Sequence, residues 1–372
     1  MKKAALILVI VLQATALFAQ KKIIQKLLSN EKDTSRKASF MPIPVLGYTQ
    51  ETGLELGLGG LYAFYADRKD SLNRSSNLTG NASYSTKKTY NISLKGDIWM
   101  PENRYHILSE IRFKRNLFNF YGIGNHTQFK DEDAVLQQYV KTKLEIEKQI
   151  LPFLYTGLSF RFENYKFSSD TPGGIFKRTG NPGGSLIFLG LSQSYDTRNS
   201  NNYPTKGFFG RLTYQYAPDI FGDGHFSGGQ FKADVRNFWK LSSTLVLGAQ
   251  GLYQGVNGQQ TPFYILPQLG NDEIMRGYYG GRFRDKNLLA MQAELRYRFM
   301  NRFGLVIFGG AGKVFQHDVF SLQDFKPSYG LGGRYFFDTA KGLSVRIDYG
   351  IGEKNANEKR QSGFYISLAE AF

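Results

Sequence analysis

The chain has 372 residues, a net charge of +16, 41 glycines, 15% aromatic residues and no cysteine. The absence of cysteine excludes disulfides, thiolate metal sites, a cysteine nucleophile and a lipidated N-terminal cysteine. The body of the chain has no uninterrupted apolar run of about 18 residues, which excludes a helical membrane protein. Its aromatic content argues against disorder. High glycine, aromatic and charge content together fit a β-rich protein whose strands each carry one apolar face.

In chain order, Lys2 and Lys3 precede an apolar run over 4–12, with small residues and a cut after Ala19 following. This pattern predicts a secretory signal peptide over 1–19, although Leu17 stands at the −3 position. The apolar run is short for a membrane anchor. Cleavage would leave 353 residues and, with Lys2 and Lys3 gone, a charge of +14. Residues 20–38 read as a short polar periplasmic segment. It falls below the roughly 40 residues that an unstapled domain needs.

From about Ser39 the apolar period is two, and 39–372 read as one barrel domain. Leu54, Leu56 and Leu58 alternate with Glu55, Gly57 and Gly59. Val140, Leu144 and Ile146 oppose Lys141, Lys143, Glu145 and Glu147. Leu289, Met291, Ala293, Leu295 and Tyr297 oppose Ala290, Gln292, Glu294 and Arg296, and Val345, Ile347 and Tyr349 oppose Arg346 and Asp348. Sixteen strands are predicted, over 39–50, 53–66, 75–86, 89–100, 103–114, 135–148, 152–166, 184–196, 206–217, 226–239, 242–254, 286–299, 303–315, 327–337, 342–351 and 362–372. A soluble sandwich also alternates. Long strands, full charges in mid-strand and aromatic strand ends favour a membrane barrel with a wet lumen and interfacial girdles. Short turns such as Lys87-Lys88 and Met300-Asn301-Arg302 are assigned to the periplasmic side, and longer loops over 115–134, 167–183 and 255–285 to the outside. The predicted fold is an all-β, 16-stranded antiparallel transmembrane β-barrel.

Two segments go beyond this rhythm. One is Tyr195-Asp196-Thr197-Arg198-Asn199 followed by Tyr203-Pro204-Thr205-Lys206-Gly207, and the other is Ile274-Met275-Arg276-Gly277-Tyr278-Tyr279. With these in this order, the chain resembles the BamA/TamA superfamily of outer-membrane assembly and translocation barrels, also called the bacterial surface antigen family. The resemblance covers 39–372. It implies that the first segment is a hairpin joining two mid-barrel strands. It also implies that the second is the tip of a long extracellular loop folded into the lumen, where Arg276 pairs with acids on the next two strands. Arg276 brings a permanent cation with a rigid fork of donors, Gly277 a tight turn, and Tyr278 a ring to pack on the lumen wall. Glu294 lies on the polar parity of its strand and matches the first acid. Gly310 stands where the family often has an Asp, so that either the lock is weaker or another acid such as Asp348 substitutes. Members that handle clients usually carry POTRA domains, and this chain resembles the barrel-only branch.

At the C-terminus Phe364, Ile366, Leu368, Glu370 and Phe372 share one parity. Apart from Glu370 they resemble an outer-membrane assembly signal ending in an aromatic residue. None of His106, His126, His225 and His317 has metal-type spacing; His106 shares parity with Glu110 and Arg112 and reads as part of a lumenal ion network. The stretch Gly309–Lys313 fails as a phosphate loop, because Ile307 and Val314 stand at required positions. No catalytic, cofactor or metal set is expected, and no enzyme activity. Export makes nucleic acid a poor partner for the basic charge; lipopolysaccharide head groups or a cationic lumen account for it better. The resemblance implies work on outer-membrane components without covalent chemistry. Partners would be outer-membrane lipid and lipopolysaccharide, the assembly machinery for its own insertion, and unfolded barrel clients or a separate periplasmic protein. An incoming strand would pair at a weak seam between first and last strands, where Pro42 and Pro44 remove two donors. The alternative is a passive pore or structural barrel without that activity.

Overall fold

A computed structural model describes residues 36–49, 53–179, 183–221, 226–316, 321–355 and 358–372. The predicted signal peptide and all of the predicted periplasmic segment except residues 36–38 lie outside them, as do His225 and His317. The strands in chain order are β1 (Ser39–Thr49), β2 (Gly53–Phe64), β3 (Ser76–Ser85), β4 (Tyr90–Trp99), β5 (Tyr105–Phe120), β6 (Asp133–Leu151), β7 (Leu154–Ser168), β8 (Gly183–Asp196), β9 (Gly207–Ala217), β10 (Ser227–Lys240), β11 (Leu245–Gln259), β12 (Gln268–Leu269), β13 (Phe283–Arg284), β14 (Asn287–Tyr297), β15 (Phe303–Phe315), β16 (Lys326–Asp338), β17 (Leu343–Ile351) and β18 (Ser362–Leu368). Sixteen form one antiparallel sheet in sequence order; β12 and β13 pair with each other inside the β11–β14 loop. The sheet curls into a barrel. Leu61 and Ala63 of β2 share a buried cluster with Leu343 of β17, against which Leu368 of β18 packs.

Parity decides the two faces. Leu58 is 71% exposed on the outer face, whereas Glu147 is fully buried on the inner one. A continuous outer band of Leu, Ile, Phe and Tyr left in water would forgo about 25 cal/mol per Å². It is a surface for lipid. The inner face carries the ions.

Turns over 65–75, 100–104, 152–153, 197–206, 241–244, 298–302 and 339–342 lie at one end. Strands β1, β3, β5, β7, β9, β11, β15 and β17 end at the other, where the turn over 86–89 and the loops over 121–132 and 260–286 lie. The short Lys87-Lys88 turn therefore belongs to the long-loop end and not, as expected, to the end that holds Met300-Asn301-Arg302. Each predicted strand is present, and three ends are displaced by more than three residues. β5 runs on to Phe120 and β11 to Gln259, because Phe118, Phe120 and Val256 pack into an aromatic cluster with Phe167, Phe176 and Phe263 above the membrane band. β18 stops at Leu368 rather than at residue 372. Ala369 takes a left-handed φ of 63° and turns the last residues inward.

Candidate functional site

The 260–286 loop does not stand above the barrel. Leu269, Ile274, Met275, Tyr278 and Phe283 pack against Leu252, Leu288, Ala290 and Val314 of the inner wall, a burial that holds the loop down. The tip is shaped locally. Asn271 Oδ1 accepts from the amides of Glu273 (2.7 Å) and Ile274 (2.8 Å), an Asx turn. Gly277 has φ 105°, and a Cβ there would lie 2.7 Å from the Ile351 carbonyl carbon. Both the turn and the close approach require glycine.

This turn drives Arg276 into the wall with no solvent exposure. Its guanidinium donates through Nη2 to Glu294 Oε1 of β14 and through Nη1 to Asp348 Oδ2 of β17 at 2.6 Å. It also lies 3.6 Å over the Phe308 ring. Tyr278 Oη donates to the Pro327 carbonyl (2.6 Å) and accepts from the Glu353 amide (2.9 Å). The Gly277 amide donates to Tyr365 Oη at 2.9 Å. Arg276, Gly277, Tyr278 and Glu294, singled out in the sequence, thus meet.

Gly310 cannot hold the second acid, since a Cβ on it would lie 2.8 Å from Gln292 Cβ. Asp348 holds that role, opposite Gly332 in the β16–β17 ladder. Around the pair, Arg296 bonds Glu294 (2.8 Å), Arg334 bonds Asp348 (2.5 Å) and Glu370 (2.8 Å), and Arg346 bonds Asp348 (2.8 Å) and Asp272 (2.9 Å). Four guanidiniums and four carboxylates balance one another in a charge-assisted network. Nothing in the residue pattern singles out Arg334, Arg346, Glu370 or Asp272 as partners, because polar parity marks every lumenal residue alike.

A second clamp ties two loops together at the long-loop mouth. Buried Arg282 donates to Glu358 at 2.8 Å and to the Thr127 carbonyl at 3.3 Å, and sits 4.1 Å over Phe129. Glu358 also accepts from the Phe129 amide at 2.8 Å. Burial pushes the Glu358 carboxyl upward, but the Phe129 amide, the Asn355 amide and Arg282 outweigh it and hold it below its ordinary range. A carboxyl lowered by folding stabilises the folded state above its unfolded value of about 4.3, and that stabilisation is lost as pH falls through the lower folded value. Hydrogen exchange at the Phe129 amide, corrected for intrinsic rate, is therefore expected to be slow at pH 7 and to accelerate below about pH 4. Glu358→Gln should show the fast rate already at pH 7. A pH-independent protection factor would remove Glu358 from the clamp.

The other motif lies at the opposite end. Tyr195 faces outward, while Asp196 turns in and binds Arg74 and Arg198, the latter at 2.8 Å through Nη2. Thr197 caps Phe208, its amide donating to that carbonyl at 2.8 Å. Asn199 Oδ1 accepts from the Thr205 (3.0 Å) and Lys206 (3.1 Å) amides, leaving the Lys206 side chain exposed. Gly207 needs its φ of 107° to re-enter the ladder. Between them, Pro204 is buried and Tyr203 meets Phe336 of β16 edge-on at 5.0 Å. Asn202 reaches the Lys341 carbonyl at 3.1 Å. The hairpin thus extends from β8–β9 across to β16–β17.

This arrangement, an inward arginine loop in sixteen strands with a crossing hairpin, coincides with the family comparison. The Omp85 superfamily domain matches residues 71–372. The chain belongs to that superfamily. Among solved structures, BamA from Haemophilus ducreyi lacking POTRA domains 1–3 aligns at a TM-score of 0.56 and 14% identity, covering 90% of this chain and 70% of that one. CdiB from Acinetobacter baumannii aligns at 0.53 and 11%, covering 93% and 66%. CdiB from Escherichia coli aligns at 0.57 and 9%, covering 90% and 62%. At such identities the likeness is one of fold. No curated protein matches the sequence.

The C-terminal reading takes a different form in this Omp85 barrel, whereas His106 lies in a lumenal ion network as read. Phe364 and Ile366 face lipid, 63% and 62% exposed, and Leu368 packs at the closure. Phe372 does not continue their row. It is buried inside against Phe238, because Ala369 ends the strand. His106 bridges Glu147 (2.8 Å) and Asp97 (2.9 Å) under the stacked Trp99 ring. Ser192 and Ser194 donate to Glu147 and not to the imidazole, so the cluster lacks the serine–imidazole contact of a nucleophilic site.

Proposed function

We propose that the protein sits in the outer membrane of a Gram-negative cell and assists the assembly, insertion or translocation of other outer-membrane components. It would work without covalent chemistry at the seam between β1 and β18. The observation that carries this reading is an Omp85 barrel with its long loop folded inward and a short last strand at the seam. The Arg276 loop and the Tyr203 hairpin occupy part of the interior, and the strand edges at the seam are the place of action. β1 has 11 residues and β18 only 7. The β1–β2 ladder runs unbroken across Pro42 and Pro44, as prolines allow when their nitrogens face away from the partner strand. Those nitrogens then face the seam and withhold two donors from it. An unfolded barrel client adding a strand there gains backbone hydrogen bonds. A separate periplasmic protein would deliver the client, and lipopolysaccharide and other lipid would surround the outer band. The protein's own insertion would use the cell's assembly machinery.

Depletion followed by a protein and lipid inventory of the outer membrane tests this. Loss of several other barrels is the expected result. Unchanged barrels with loss of uptake of a single solute would replace it with the passive-pore reading.

A further inference from the structure

The upper lumen holds a cavity of about 390 Å³ between the β5–β7 wall and the inward loop. Its lining includes Lys114 of β5, Lys141 of β6 and Arg284 of β13, and no Asp or Glu. Lys141 has its acid outside the cavity, Glu110 at 3.0 Å. Among the described residues neither Lys114 nor Arg284 has a carboxylate at ion-pair distance. Arg211, Arg236, Arg276, Arg296, Arg334 and Arg346 elsewhere in the lumen are each matched by an acid, and Arg284 is not.

Arg284 is the more unusual of the two. It is 2% exposed, and its Nε and Nη2 converge on a single carbonyl, Gly281 O, at 3.1 and 2.8 Å. The Phe118, Phe120 and Phe263 rings lie 5.2–5.7 Å from its guanidinium. Carbonyl and ring faces offset part of the cost of burying a cation, and an anion would offset the rest.

The remaining walls suit a ring. Tyr139, Tyr165 and Tyr264 line one wall as an aromatic stack, with 5.4 and 4.6 Å between successive centroids, and the outer rings of the stack offer the faces that a ligand ring would meet. Amide side chains of Asn116, Gln137 and Gln268 supply donors and acceptors between the cations. Lys141, Tyr165, Tyr264 and Gln268 also line a larger lumenal cavity of about 590 Å³, which gives a route in.

We propose that this cavity binds a small anionic ligand with a ring-shaped body, of the class of phosphorylated or carboxylated sugars. The anion lies between Lys114 and Arg284, the ring on the tyrosine faces, and the hydroxyls on the amides. The volume is at the small end of ligand pockets, which run from about 300 to 1,000 Å³, and fits one sugar unit.

Calorimetry on the full barrel in detergent, titrated with glucose 6-phosphate, glucose and inorganic phosphate, tests this. Saturable binding of glucose 6-phosphate is expected, at least about tenfold tighter than either of the others, as one added charge-assisted contact implies. Lys114→Gln should weaken it about tenfold without altering the barrel's heat-modifiable migration. Arg284→Lys, which keeps the buried charge and loses the fork, should weaken it as well. Absence of saturable binding, glucose or phosphate binding equally well, or unchanged affinity in both variants would overturn the assignment.

Discussion

Arg276→Ala is expected to lower the barrel's unfolding free energy by about 3–5 kcal/mol, the usual cost of removing one partner from a buried ion pair. Gly310 in place of an acid suggests a smaller loss, near the value of about 1 kcal/mol or less for exposed pairs. The geometry moves the expectation to the upper end. Arg276, Glu294 and Asp348 have no exposed side-chain surface, so the substitution leaves two carboxylates without their shared counter-ion. It also removes the cation from the Phe308 face. Arg276→Lys should not restore the lock, because a single ammonium cannot reach β14 and β17 in the forked manner of a guanidinium. The measurement is denaturant unfolding of the refolded barrel for Arg276→Ala, Glu294→Gln, Asp348→Asn and the doubles with Arg276→Ala. Coupling of about 1–3 kcal/mol should appear in each cycle. Strict additivity, with the 260–286 loop open to protease in the wild type, would reduce Arg276 to a surface charge.

How much of this was legible depends on the scale of the signal. A strand writes itself into the sequence every second residue, so Leu54–Leu56–Leu58 or Glu145–Glu147 is enough to place a wall and its face. The same parity put Glu294 and Asp348 on the inside, and Asp348 was already the candidate to replace the acid missing at Gly310. What parity cannot say is which lumenal ion meets which, since that depends on how sixteen strands close and where a 27-residue connection comes down. Arg334 and Arg346 are therefore ordinary inward charges in the sequence and partners of Asp348 in space. Strand ends fail for another reason. Residues 118–120 read as part of the outside loop over 115–134, yet Phe118 and Phe120 extend β5 by packing on a distant loop. At the other extreme one backbone torsion, at Ala369, undoes an alternation that the side chains continue through residue 372.

That torsion changes what Phe372 should do. Phe372→Ala is expected to destabilise the refolded barrel by about 3–5 kcal/mol, as truncation of a buried phenylalanine does. The ring is 4% exposed and lies 6.0 Å from Phe238. Arg296 sits 5.0 Å over it and donates to the Phe372 carbonyl at 2.9 Å. Since Arg296 also bonds Glu294, the end of the chain is tied to the loop lock by two successive contacts. A lipid-facing terminal aromatic would behave otherwise: its loss would slow recognition during assembly and leave the finished barrel nearly as stable. Phe364→Ala supplies that comparison, since Phe364 faces lipid on β18. Both variants should reduce the amount of protein in the outer membrane. Only Phe372→Ala should also shift the unfolding midpoint of purified, refolded protein, and its loss in cells should follow that shift. A wild-type midpoint for Phe372→Ala would show that the inward-turned ring contributes no packing, and would return Phe372 to the role of a terminal assembly signal.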